Sequence, residues 1–207
     1  SNLQSLELYK FSKRPDVIFP NFDESHMSEA TYFRLFLEDY LPRTIKNIIY
    51  IDPDVICLNN FDIIAATTFE ILNNSKYVIA AKTEHYEESD NDTSNRLELT
   101  RNKYFNAGVT FIDYEKWIKE GYTEKLISKM NYLGDRAVWV DQCALNSFID
   151  GLYIEIPEQL NFKSRLHDNE YLLVETVFFT RTVNIESYII GTIIIISTIV
   201  ASVRFKV

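Results

Sequence analysis

Asp52 and Asp54 are the residues in this chain whose type and spacing most directly suggest chemistry. They follow Asn47-Ile48-Ile49-Tyr50-Ile51, a short apolar run that reads as a buried strand. In an extended backbone, residues i and i+2 face the same way, and Pro53 stiffens the link between the two carboxylates. Ligands of open α/β sheets bind outside the carboxyl ends of the strands, which is where this pair falls. Two hard oxygen donors at such a place suit Mg²⁺ or Mn²⁺. A turn with two solvated carboxylates is the plainer reading of the same residues, because Asp-x-Asp pairs are common in acidic chains.

Strands and helices alternate around that pair. A helix is predicted over residues 28–41, where Ala30, Phe33, Leu37 and Leu41 recur at three- and four-residue steps. Ser28 offers an N-cap, and Pro42 ends the pattern. Further strands are predicted at 77–81, 104–112 and 153–156. Helices are predicted within 61–72, over 114–130, and over 142–149 with Asp141 at its head. Residues 84–98 are polar and acidic and read as a surface loop with room for a short helix. The alternation predicts an α/β layer with a largely parallel sheet.

Composition narrows the class. The 207 residues suffice for one compact domain or slightly more. A hydrophobic share of 46% gives a sizeable core and excludes global disorder. With 30 Asp and Glu against 21 Lys and Arg, the net charge of −9 argues against general nucleic-acid binding. The surplus acid suits a divalent cation, although most of it reads as solvated surface. Cys57 and Cys143 form no metal-ligand or disulfide pattern and read as buried free thiols, which fits a reducing compartment. His26, His85 and His167 lack metal-ligand spacing and read as surface residues.

Four motifs in order carry a family resemblance. They are Ala30-Thr31-Tyr32-Phe33-Arg34-Leu35 with Leu41-Pro42, then Ile49-Tyr50-Ile51-Asp52-Pro53-Asp54, then Tyr104-Phe105-Asn106-Ala107-Gly108-Val109, then Asp141-Gln142-x-Ala144-Leu145-Asn146. In order and approximate spacing, residues 24–165 resemble glycosyltransferase family 8. The resemblance implies an α/β GT-A (Rossmann-like) fold, a mostly parallel sheet flanked by helices. It implies a retaining hexosyltransferase that moves glucose or galactose from UDP-glucose or UDP-galactose, with Mn²⁺ (or Mg²⁺). The acceptor would be a glycan, lipid or protein, lipopolysaccharide biosynthesis being one context. The location would be cytoplasmic, or at a membrane facing the cytoplasm.

Carried over residue by residue, Asp52 and Asp54 match the metal-binding pair. Arg34, Asp52, Asn106 and Ala107 match donor-binding positions, and Asp141 and Gln142 match the catalytic pair beside the reacting carbon. Blander roles stand beside these: a helix-surface ion pair for Arg34, a strand-end turn for Asn106 and a helix N-cap for Asp141.

Departures from the pattern set further expectations. The opening strand and Asp-containing loop that cradle uridine in the family have no match. Nor has the closing His-x-x-Gly-x-x-Lys-Pro-Trp motif. Cys143 stands where the family often has an Asp after Asp-Gln. The chain, which begins at Ser1, is therefore expected to be truncated at both ends. Residues 1–165 form a partial glycosyltransferase domain and 166–207 an atypical apolar tail. Residues 187–203 carry no charge and precede Arg204 and Lys206, as a candidate membrane segment would, although a buried strand pair or an unrelated terminus fits equally. Two other functions remain in view. One is a catalytically inactive homologue acting as a binding or membrane-tethered protein. The other is a metal-dependent hydrolase or phosphotransferase on an unrelated fold, which accounts for only one of the four motifs.

Overall fold

The computed structural model describes residues 9, 11–19, 29–53, 55–57, 59–84, 91–164, 178–181 and 193–197. Asp54, the three histidines and most of residues 187–203 lie outside the described residues.

The helix expected over 28–41 opens as a 3-10 helix, Glu29–Phe36, and continues as α1, Leu37–Tyr40. Its inner face is sealed by aromatic contacts: Phe11 stacks on Phe33 and Phe19 on Tyr32. Leu41 turns extended before Pro42, whose ring and missing N–H stop further helix. Next come β1 (Asn47–Ile51), β2 (Val55–Cys57), α2 (Asp62–Asn73), β3 (Ile79–Thr83), α3 (Asn91–Leu97) and β4 (Phe105–Asp113).

The helix predicted over 114–130 is two helices, α4 (Tyr114–Glu120) and α5 (Tyr122–Leu133). Gly121 separates them at φ +65, a left-handed conformation that costs glycine little. The chain then gives α6 (Val140–Ile149), β5 (Ile154–Glu155), β6 (Phe162–Ser164), β7 (Phe178–Arg181) and β8 (Ile193–Ser197).

The main sheet runs in the order β5-β3-β4-β1-β8. Here the expectation of a mostly parallel sheet is corrected: β3–β5 is parallel, but β1–β4, β3–β4 and β1–β8 are antiparallel. A helix between two strands fixes neither their relative direction nor their adjacency: β3 and β4, joined through α3, pair antiparallel. Strands β1 and β3 run the same way across α2, but β4 slots between them in the opposite sense. A second small sheet has the order β2-β7-β6.

Both faces of the main sheet are covered. Along β1 the two-residue alternation sends Ile48 and Tyr50 into one core with Leu37, Leu126 and Leu145. It sends Ile49 and Ile51 into another with Ala65 and Leu72 of α2. Such a strand has to be apolar throughout, which explains the unbroken run in the sequence.

Residues 193–197, inside the candidate membrane segment, form strand β8 against β1. No helix among the described residues is long and apolar enough to cross a membrane.

One irregularity positions the site. Between β3 and β4 the register jumps: Ala81 opposes Thr110, but Lys82 opposes Asn106. Residues 107–109 therefore lose their β3 partners, directly beside the carboxyl end of β1.

Candidate active site

The register jump frees the backbone of Ala107, and side chains take it up, Thr110 Oγ1 donating to its carbonyl at 3.1 Å. Arg34 Nη1 donates to the Ala107 carbonyl at 2.6 Å, and Ala107 N–H donates to Gln142 Oε1 at 2.9 Å. A polar backbone group inside a core has to find such a partner. Arg34 thus links the first helix to β4, and Gln142 links α6 to β4.

Arg34 is the hub of the cluster. It is buried, at 8% exposure. Nη2 donates to Asp52 Oδ1 at 2.6 Å, and Tyr50 Oη donates to the same oxygen at 2.7 Å. The guanidinium lies 3.9 Å from the centre of the Tyr50 ring. Nε pairs with Asp141 Oδ2. That contact is an ion pair without an aligned hydrogen bond, since neither atom finds a hydrogen-bond partner of good geometry. The helix-surface role for Arg34 does not describe this arrangement.

One guanidinium faces two carboxylates, and the imbalance shows at Asp141. Burial pushes the Asp141 carboxyl up to about 6; Arg34 opposes the shift and Asp52 adds to it. For Arg34, burial disfavours the charge, but Asp141 and Asp52 outweigh it and hold the guanidinium above its ordinary value. The two directions agree physically. The arginine stays charged, and Asp141, the more deeply buried carboxylate, takes up a proton more readily than an ordinary carboxyl does.

Asp141 lies in the first turn of α6 but does not cap it: the N-cap position is Trp139. The intervening Val140 has φ +45 and is fully buried. A β-branched residue at positive φ is strained, and here the kink leads straight into Asp141 and Gln142.

Asn106 is more committed than its sequence suggests. Its Oδ1 accepts from Gly108 N–H at 2.8 Å and from Asn161 Nδ2 at 3.0 Å, and its Nδ2 donates to Glu84 Oε1 at 2.9 Å. One Nδ2 proton is left for a ligand. Both the strand-end turn and a binding role therefore fit the same residue.

Six of the seven predicted site residues, Arg34, Asp52, Asn106, Ala107, Asp141 and Gln142, come together in this cluster; Asp54 lies outside the described residues. Sequence reasoning missed Tyr50, Tyr104, Glu84, Asn146 and Asn161. Tyr50 was findable, because it precedes Asp52 by two residues on one strand and so shares its side. Asn146 was quoted within a motif without a role. Fully buried, it accepts from Phe105 N–H at 2.7 Å and donates to the carbonyls of Phe105 and Gln142, both at 2.9 Å. That fastens α6 to the start of β4. Cys143 is buried, as expected, whereas Cys57 is only half-buried.

Among the described residues no three His, Cys, Asp or Glu side chains cluster as a metal site. Asp52 does offer a hard oxygen: Oδ1 is taken by Arg34 and Tyr50, while Oδ2 faces Gly108. A Cβ at position 108 would sit 2.9 Å from Asn106 Oδ1 and 3.2 Å from Asp52 Oδ2. The space before these two oxygens exists only because residue 108 is glycine. Gly108→Ala is expected to leave the thermal transition within about 1 kcal/mol of wild type, since both clashing atoms belong to side-chain ends. It should weaken about tenfold, by calorimetry, the binding of any ligand held at these two oxygens, because the same two side chains are displaced.

Mixed α/β layers with such a cluster at the carboxyl end of a central strand define a GT-A glycosyltransferase fold. The galactosyltransferase LgtC, solved in complex with donor and acceptor sugar analogues, matches with a TM-score of 0.64 at 20% identity, over 80% of this chain and 62% of that one. Residues 7–182 match glycosyl transferase family 8, and the chain belongs to that family. It is 32% identical over 143 residues to general stress protein A of Bacillus subtilis (strain 168), covering 67% of this chain and 47% of that protein. It is 29% identical over 148 residues to lipopolysaccharide 1,2-glucosyltransferase of Escherichia coli (strain K12), covering 70% and 43%. The chain spans less than half the length of these two curated relatives.

Proposed function

We propose that this chain carries the donor-binding part of a metal-dependent hexosyltransferase that moves glucose or galactose from a UDP-sugar to a glycan, lipid or protein acceptor with retention. The observation that carries the reading is Arg34. Buried between Asp52, Asp141 and the Ala107 carbonyl, it joins all four motifs at one point.

Asp52, through Oδ2, and Asp54 would hold a divalent cation, Mn²⁺ or Mg²⁺. When bound, such an ion supplies positive charge against the developing charge of a diphosphate leaving group. Arg34 orients Asp52 for that task. Asp141 holds Arg34 in place from the other side. Asn106 presents its remaining N–H to a sugar hydroxyl. Gln142, uncharged, presents amide oxygen density beside the reacting carbon, where positive charge grows in the transition state. The two free thiols support a reducing, cytoplasmic setting, either free or at the cytoplasmic face of a membrane.

Calorimetry with UDP, with and without Mn²⁺, tests the reading. Mn²⁺-dependent binding that is lost in Asp52→Asn is expected. Turnover should favour UDP-glucose or UDP-galactose over other nucleotide sugars, with the product anomer matching the donor by NMR. Absence of any Mn²⁺-dependent binding at millimolar UDP would sink it.

A further inference from the structure

We propose that Tyr104 is a positioning residue that fixes which end of the Gln142 amide faces the donor pocket, with Cys143 holding Tyr104 in turn. The inference rests on the reading of Gln142 as a residue beside the reacting carbon. An amide has an acceptor end and a donor end of nearly equal shape, so packing alone does not choose between its two flips. Hydrogen bonds choose here. Ala107 N–H donates to Oε1 at 2.9 Å, and Nε2 donates to Tyr104 Oη at 3.1 Å. A flip would turn Nε2 toward the Ala107 N–H, donor against donor.

Tyr104 opposes that flip only if its oxygen accepts, which requires its single proton to go elsewhere. Cys143 Sγ lies 3.6 Å from Oη. Sγ already accepts from the Trp139 N–H at 3.3 Å, and Arg96 Nη1 lies 4.0 Å away. Either group can donate across this contact; with the hydroxyl as donor, the sulfur accepts from Tyr104 as well as from Trp139. In that arrangement the hydroxyl proton points to Sγ, and an Oη lone pair stays turned to Gln142. Tyr104 is 1% exposed and Cys143 fully buried, so water does not compete for either group.

The consequence is chemical. With the flip fixed, Gln142 keeps the second lone pair of Oε1 for the pocket. Near a carbon that gains positive charge an oxygen lone pair is favourable, whereas an amide N–H is repelled. A wrong flip would cost turnover without abolishing donor binding.

Tyr104→Phe keeps the ring and removes Oη. Its kcat for UDP-sugar turnover should fall about tenfold, with donor KM and Mn²⁺-dependent UDP affinity within about twofold of wild type. Combined with Gln142→Ala it should add no further loss, because Gln142 is the route of its effect. Cys143→Ala should behave in the same way with a smaller loss. A second readout needs no turnover. The side-chain amide protons of Gln142 should exchange slowly with solvent in wild type and fast in Tyr104→Phe. An additive loss in the double variant, a loss confined to KM, or unchanged amide exchange would overturn the proposal. Lack of any turnover in the wild-type chain would strike the transferase reading instead, and amide exchange would then decide the role of Tyr104 alone.

Discussion

Arg34→Met is expected to cost about 3–5 kcal/mol of stability at neutral pH and to abolish measurable UDP binding. The loss has little to do with the contacts that methionine fails to make. It comes from what stays behind: Asp52 and Asp141 in one pocket without a cation, and an Ala107 carbonyl that keeps only the 3.1 Å bond from Thr110 Oγ1. The pH dependence identifies the mechanism. The folded Asp141 carboxyl titrates at about 6, above its ordinary 3.8. A raised acid pKa means that stability from this group is fully present below about 4 and is lost as pH rises through 6. Without Arg34 the carboxyl titrates higher still. The deficit of Arg34→Met should therefore shrink as pH is lowered from about 7.5 to about 5, because protonation removes the buried charge. Urea unfolding at the two pH values measures this, and an equal deficit at both would refute the charge argument. Arg34→Lys should recover little, since a single ammonium cannot reach Asp52, Asp141 and Ala107 at once.

That hub was only half legible in the sequence. Asp52 was readable as a strand-end carboxylate, because a five-residue apolar run ending at Asp-Pro leaves few other conformations. Arg34, Asn106 and Gln142 became visible through motif resemblance, not through any local property. Their mutual distances depend on pairings across the sheet that sequence spacing does not encode. Tyr104 and Asn146 were written into the motifs, but their roles are hydrogen bonds to β4 and α6 that only the packed fold creates.

The sheet orientation failed for a comparable reason. Periodicity locates strands and helices, and their order gives only their succession along the chain. Neither says that β4 will wedge between β1 and β3. The break at Gly121 was missed because the apolar stripe from Trp117 to Met130 continues through it on both helices. Glycine signals freedom to turn, and only the packing of α4 and α5 decides whether the turn is used.

Lys116→Met should be the largest effect outside the site, about 3 kcal/mol, or a fall in Tm of about 6–12 °C. Helix α2 has no basic residue in its own last turn, so its exposed carbonyls face the core edge without a local cation. Lys116, from α4, supplies one. Nζ lies 2.8 Å from the Leu72 carbonyl, 3.3 Å from Asn73, 2.8 Å from Ser75 and 3.2 Å from Tyr77, with Asp113 Oδ2 at 2.9 Å. Three ammonium protons serve five oxygens, so they are shared among the carbonyls that end α2 and lead into β3. Methionine would match the length of the side chain but take this donor from the Asn73, Ser75 and Tyr77 carbonyls and from Asp113 Oδ2, while the Leu72 carbonyl would keep the N–H and hydroxyl of Ser75. Asp113 would keep its cap on the Lys116 backbone N–H at 2.9 Å, so α4 itself should survive. The site should not notice. Asp113 ends β4 and Ala107 lies near its start, which puts the two junctions about 20 Å apart along the strand. UDP affinity measured well below the transition should therefore equal that of wild type. If Lys116→Met weakened UDP binding as Arg34→Met does, the α2–α4 junction and the arginine hub would have to be one cooperative unit, and the separation drawn here between scaffold and site would fail.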